Sequence, residues 1–300
     1  MSYVLAAIDD SAATGPVLRV AAWFAALLGV DVVALHVTDD ADGLTARASA
    51  NAAGVQFVVR HGDAVATICD VACDTNVCAV VVGARGLPAS STLGGHVALE
   101  LIRTIAKPVL VVPPDARIPT AAGVSVLAPL DDHQESADAL RQVLVQMRPA
   151  AGLEVSLLRV FTAEDLPRFA DHDPYDAELF AHALAQRIGT SATTRTRVET
   201  RVGHAAHTIL AVERELACDL VILAWGRELA EHRAAVVKRV LAHTRTPLLL
   251  LPVPKHTDIA DAATTVHTSD HDPHHPRVRE TTPNSSMRNR VDAARMRPTR

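Results

Sequence analysis

Aromatic residues make up only 3% of this 300-residue chain, cysteines number 4, and positive charge is outweighed. Each shortage removes a class of protein. With so few aromatic rings, any core must be built from Ala, Val, Leu and Ile, which the 49% hydrophobic content supplies in quantity. That content also argues against disorder over most of the chain. Four thiols (Cys69, Cys73, Cys78, Cys218) are too few for a disulfide framework at this length. Cys69 and Cys73 share one helical face, but no second pair accompanies them, so buried structural thiols are expected rather than a metal or redox pair. A formal charge of -5, from 29 Lys+Arg against 34 Asp+Glu, does not suit a general nucleic-acid binder, whose phosphate contacts call for a basic face. No run reaches the roughly 18 apolar residues of a membrane span, because Arg19, Asp31 and His36 interrupt the most apolar stretch. The N-terminal MSYVLAAIDD has no basic region ahead of its apolar run, so no secretory signal is read and a cytoplasmic protein is expected.

What is present is a repeat. VLAAIDDS (residues 4–11) returns as VLAPLDDH (126–133), RHGDAVATI (60–68) as RVGHAAHTI (201–209), and KPVLVVP (107–113) as TPLLLLP (246–252). Three landmarks in the same order predict two similar domains, 1–114 and 123–254, joined near Asp115 to Gly123. Within the first, short β-branched runs (3–8, 31–37, 56–60, 79–82, 109–112) alternate with helical stretches (13–28, 44–53, 64–74, 97–105). The second reads alike, with strands at 124–130, 154–160, 196–201, 220–224 and 248–251. Its helices are predicted at 135–148, 176–190, 206–217 and 231–244, with an Asp/Pro-containing loop between Phe161 and Tyr175. Continuous apolar strands separated by helices require a parallel sheet covered on both faces. The predicted fold is therefore α/β, two Rossmann-like, doubly wound domains of five parallel strands each. From Lys255 the pattern stops: residues 255–300 carry almost no large apolar side chain and cannot offset their ordering entropy, so a disordered tail is expected. Its histidines (His267, His271, His274, His275) read as solvated rather than metal-binding.

Ligands of an open parallel sheet bind outside the C-terminal strand ends, where the strand order reverses. The first strand delivers Asp9, Asp10 and Ser11 there, and the fourth runs into VVGARGLPASSTLGGHVALELI. Gly83 and Gly86 leave backbone amides bare, and Gly94-Gly95-His96 opens a helix whose N-terminal dipole favours an anion. A nucleotide fits this order, with polyphosphate on the glycine loop and sugar and base toward the first strand. On their own the glycines are weak, since such a turn is as often merely tight.

These residues resemble the universal stress protein family across nearly the whole first copy, and the second copy resembles a degenerate member. Asp9 matches the family's acidic position, Gly83-Ala84-Arg85-Gly86 its GxxG, and Gly95-His96 its Gly-Ser pair. The resemblance implies a non-catalytic, regulatory ATP-binding module of the stress response, with magnesium as a companion ion. The implied contacts are Ala7, Ile8, Asp9, Val37, Gly83, Arg85, Gly86, Gly95, His96 and Val97, the base being met from backbone near Val37. It further implies last strands meeting as in the family's dimers, a possible homodimer, and a protein partner the sequence does not name. Two departures stand out: the loop from Gly86 to Gly95 has eight intervening residues, Pro88 among them, rather than nine, and His96 replaces a hydroxyl. In the second copy Gly83 becomes Ala224, Gly86 becomes Arg227, and Gly95-His96 becomes Ala234-Ala235, so no nucleotide is expected there. GARGLPASSTLGG lacks the GK[ST] of an ordinary NTPase, and no GxSxG elbow accompanies Asp9-Asp10-Ser11. The competing readings are a nucleotide-independent scaffold of the same fold and an adenylyl-transferring enzyme, whose HxGH-like motif is missing.

Overall fold

A computed structural model describes residues 1–39, 43–84, 96–119, 123–149, 152–162, 174–189, 194–227 and 234–254, with backbone alone at His96 and 174–177. The expected tail lies outside these residues, as does most of the loop after Phe161. The first copy runs β1 (Tyr3–Ile8), α1 (Thr14–Leu28), β2 (Asp31–Val37), α2 (Leu44–Ala52), β3 (Gln56–Arg60), α3 (Ala64–Ala72), β4 (Val77–Gly83), α4 (His96–Thr104), β5 (Val109–Val112). The second repeats it with β6 (Val124–Pro129), α5 (Gln134–Gln146), β7 (Leu153–Phe161), α6 (Pro174–Ile188), β8 (Thr194–Val202), α7 (Ala205–Leu216), β9 (Leu220–Trp225), α8 (Ala235–His243) and β10 (Leu248–Pro252).

The strand order is β3-β2-β1-β4-β5-β10-β9-β6-β7-β8, one sheet of ten strands. Within each copy every pairing is parallel, and the copies join where β5 and β10 run antiparallel. The last strands thus meet as the resemblance implied. They do so because Val109–Val112 and Leu248–Leu251 are wholly apolar and buried on both faces, leaving an edge that must be covered. The strands split their side chains with period two. Val4, Ala6 and Ile8 face α1, α2, α5 and α6, while Leu5 faces the layer of α3, α4, α7 and α8. Each Val, Leu or Ile side chain fully buried this way contributes about 1.5–3 kcal/mol.

Local chemistry sets the helix ends. Asp63 caps α3 by accepting the Ala66 N–H at 2.8 Å. Gly29 ends α1 at φ +68°, a left-handed turn that an L side chain resists. One expectation is corrected here: Cys73 is exposed and Cys69 and Cys78 are half-buried, so only Cys218 is a buried thiol. Helix α3 turns Ile68 and Ala72 toward the sheet, which places Cys69 and Cys73 one step around the helix, off the buried stripe.

Candidate functional site

In the first copy β1 lies between β2 and β4, and its crossovers leave on opposite faces, which opens the switch point at the C-terminal ends of β1 and β4. The chain leaves β1 through a tight polar turn. Asp9 Oδ1 accepts the Ser11 N–H at 3.0 Å and the Ser11 hydroxyl. The Thr14 hydroxyl donates to the Asp9 carbonyl and accepts the Asp9 N–H at 3.2 Å. This Asx-type turn starts α1 and fixes the Asp9 carboxylate at the mouth of the site. Among the described residues its bonds run to Oδ1, and Asp9 remains exposed. The Ser11 hydroxyl is thus engaged with Asp9 itself.

Ala7 and Val37 are half-buried and Ile8 is buried, and all three lie at the neighbouring C-terminal ends of β1 and β2. Gly83 ends β4, paired with Val112 of β5. Its bareness also bears on packing. A Cβ there would stand 3.3 Å from Val17 Cγ2 and 3.7 Å from Ala13 Cβ, so the missing side chain admits the first turns of α1. Arg85, Gly86 and Gly95 lie outside the described residues. His96 is the first residue of α4, whose N-terminus therefore lies at the switch-point edge, and Val97 after it is 41% exposed. Among the described residues no group of three or more His, Cys, Asp or Glu is placed to hold a metal ion.

A second cluster stands at the C-terminal ends of β1 and β2. His36, the last residue but one of β2, lies opposite Ile8 and is 4% exposed. Its Nδ1 lies 3.1 Å from the Ile8 carbonyl oxygen, which only accepts, so Nδ1 carries the proton. Its Nε2 is buried without a hydrogen-bond partner, 3.7 Å from Asp10 Oδ2. Asp10 Oδ1 meanwhile accepts the Ala46 N–H of α2 at 2.8 Å. Gly43, at φ +43°, closes over the ring so tightly that a Cβ would come within 2.4 Å of His36 Cδ2.

The second copy keeps the frame and changes the occupants. Asp131 Oδ1 accepts the His133 N–H at 3.1 Å, repeating the Asp9 turn. Ala224 pairs with Leu251 as Gly83 pairs with Val112, which places a methyl where the first copy has none. Trp225 is buried in the α7 and α8 layer and is a packing residue. At the place of His36 stands Arg159, donating from Nη1 to the Leu130 carbonyl at 3.3 Å and from Nη2 to Asp132 Oδ2 at 2.5 Å. Comparing ALHV (34–37) with LLRV (157–160) would have shown this exchange in sequence.

The universal stress protein family model matches residues 41–113 and again 125–252. A crystal structure of a universal stress protein from Archaeoglobus fulgidus superposes with a TM-score of 0.61 at 17% identity, covering 84% of this chain and 99% of that one. A protein of unknown function from Pseudomonas aeruginosa gives a TM-score of 0.58 at 13% identity, covering 84% and 93%. No curated protein matches the chain.

Proposed function

Because the chain belongs to the universal stress protein family, we propose that it is a non-catalytic regulatory module that holds ATP in its first copy. One observation carries this reading: β1, β2 and β4 bring Asp9, Val37 and Gly83 to the same edge of the sheet, beside the switch point, with the N-terminus of α4 at that edge. The described residues fit the sugar and base end of a nucleotide. Asp9 offers an exposed carboxylate held rigid by Ser11, and the half-buried Val37 ends β2. Arg85, Gly86, Gly95 and His96 would hold the phosphates, with magnesium on their oxygens. The absence of a GK[ST] lysine supports binding without ordinary turnover. Cytoplasmic residence and a stress-response role belong to the same proposal.

A nucleotide-free interaction module of the same fold is favoured by one finding, that a Cβ at Gly83 would press on Val17 of α1. Mass spectrometry of small molecules released from freshly purified protein, followed by calorimetric titration with ATP, separates the two. Near-stoichiometric nucleotide, lost in Gly95→Val, supports the ATP module. Empty protein that ignores added ATP supports the scaffold. Gly83→Val is the wrong probe, since it would strike α1 whether or not phosphate binds.

A further inference from the structure

The two copies answer the same geometric problem with different side chains. At the end of the second strand a donor must satisfy the carbonyl that closes the first strand and face the second Asp of the DD pair. Arg159 does both at once, holding the Leu130 carbonyl and Asp132 Oδ2. His36 does half: Nδ1 serves the Ile8 carbonyl, and Nε2 stops 3.7 Å short of Asp10 Oδ2. A neutral ring presents a lone pair to that carboxylate, and Nε2 then stays unsatisfied in a buried place. A protonated ring presents an N–H, and a shift of under an ångström or so closes a charge-assisted bond of ordinary length.

From this internal comparison we infer that His36 is a protonation-operated latch on the base side of the first copy. When charged it ties the end of β2 to Asp10; when neutral it releases Asp10, as the permanently charged Arg159 never releases Asp132. Asp10 is also the cap of α2, since its Oδ1 holds the Ala46 N–H. Closing the latch therefore stitches β1, β2 and the first turn of α2 together, with Gly43 pressed on the imidazole between them. Among the described residues the other groups around the ring are few. Phe57 of β3 stacks on it at 6.4 Å, and Arg47 of α2 lies over the Phe57 ring, 5.2 Å from its centroid. Arg60 and His61, at the end of β3, are engaged with the Val59 and Thr38 carbonyls. Among the described residues Asp10 is thus the anion placed to receive the second imidazole proton.

Amide exchange at Ala46, expressed as protection relative to the free peptide, reads the latch directly in the full chain. Protection is expected to fall about tenfold as pH rises from about 5.5 to about 8, the scale of one bond to a charged group. His36→Arg should hold it high at both ends, and His36→Gln should hold it low at both. A flat profile in the unaltered protein, or the same slope persisting in both variants, overturns the latch. Its consequence for ligand rests on the ATP reading: ATP affinity should follow the same pH profile and lose its slope in His36→Arg. If ATP binds none of the three proteins, the ATP reading fails while the exchange profile still decides the latch.

Discussion

Leu249 of β10 lies directly across from Leu110 of β5 in antiparallel register, and both are completely buried. That pair sits at the centre of the sheet and joins the copies, so its loss is felt by the whole ten-stranded structure. Leu249→Ala is expected to cost about 2–5 kcal/mol, cavity included. Urea unfolding should show a lowered midpoint with the slope unchanged.

Gly83 sits against α1, and its substitutions grade with size. With a Cβ already 3.3 Å from Val17 Cγ2, Gly83→Ala asks a neighbour to yield slightly, while the branched methyls of valine press into the helix. Thermal unfolding should register about 1–3 kcal/mol for Gly83→Val and less for Gly83→Ala. A larger loss for alanine than for valine would contradict the packing account.

Glu213 is 4% exposed and holds the turn between α8 and β10 together. Its Oε1 accepts the Thr244 hydroxyl at 2.9 Å and the Arg245 and Thr246 N–H groups at 3.1 Å each. Glu213→Ala takes the acceptor from the Arg245 N–H, while the Thr244 hydroxyl and Thr246 N–H keep the Thr246 carbonyl and Thr244 Oγ1. It is expected to cost about 2 kcal/mol, whereas Glu213→Gln keeps an acceptor and costs about 1 kcal/mol. Chemical denaturation of the two variants side by side is the measurement.

The Cys218 thiol is pushed up to about 12 by burial, with the Glu213 and Asp219 charges adding to it. A group whose folded value lies above its unfolded value of 9.0 favours its protonated form in the fold. Its contribution to stability is therefore complete below about pH 9 and is lost as pH rises toward about 12. Iodoacetamide at pH 8 should modify the exposed Cys73 readily and leave Cys218 intact until the protein is denatured. Peptide mapping of the alkylated protein checks both statements.

Much of this was legible in the chain before folding. The apolar runs at Val109–Val112 and Leu248–Leu251 carry no polar residue, and only a strand covered on both faces tolerates that. The repeated VLAAIDDS and VLAPLDDH fixed the duplication, and Asp9 was recognisable as the acidic residue closing the first strand. Some elements begin where the pattern did not place them. Strand β4 starts at Val77 rather than Ala79, because Tyr3 N–H takes the Asn76 carbonyl and Lys107 Nζ takes that of Val77, extending the pairing toward the strand's start.

Period, repeat and turn chemistry are local properties, so the order of residues alone settled the α/β alternation, the tandem copies and the landing place of Asp9. The pairing of β5 with β10 rests on which two apolar edges are left uncovered once each copy has folded. The same holds for His36: its contacts with Ile8, 28 residues earlier, and with Asp10 exist only through the register of β1 against β2. Gly83 was visible as a glycine, but only the tertiary structure shows that a side chain there would meet Val17 of α1.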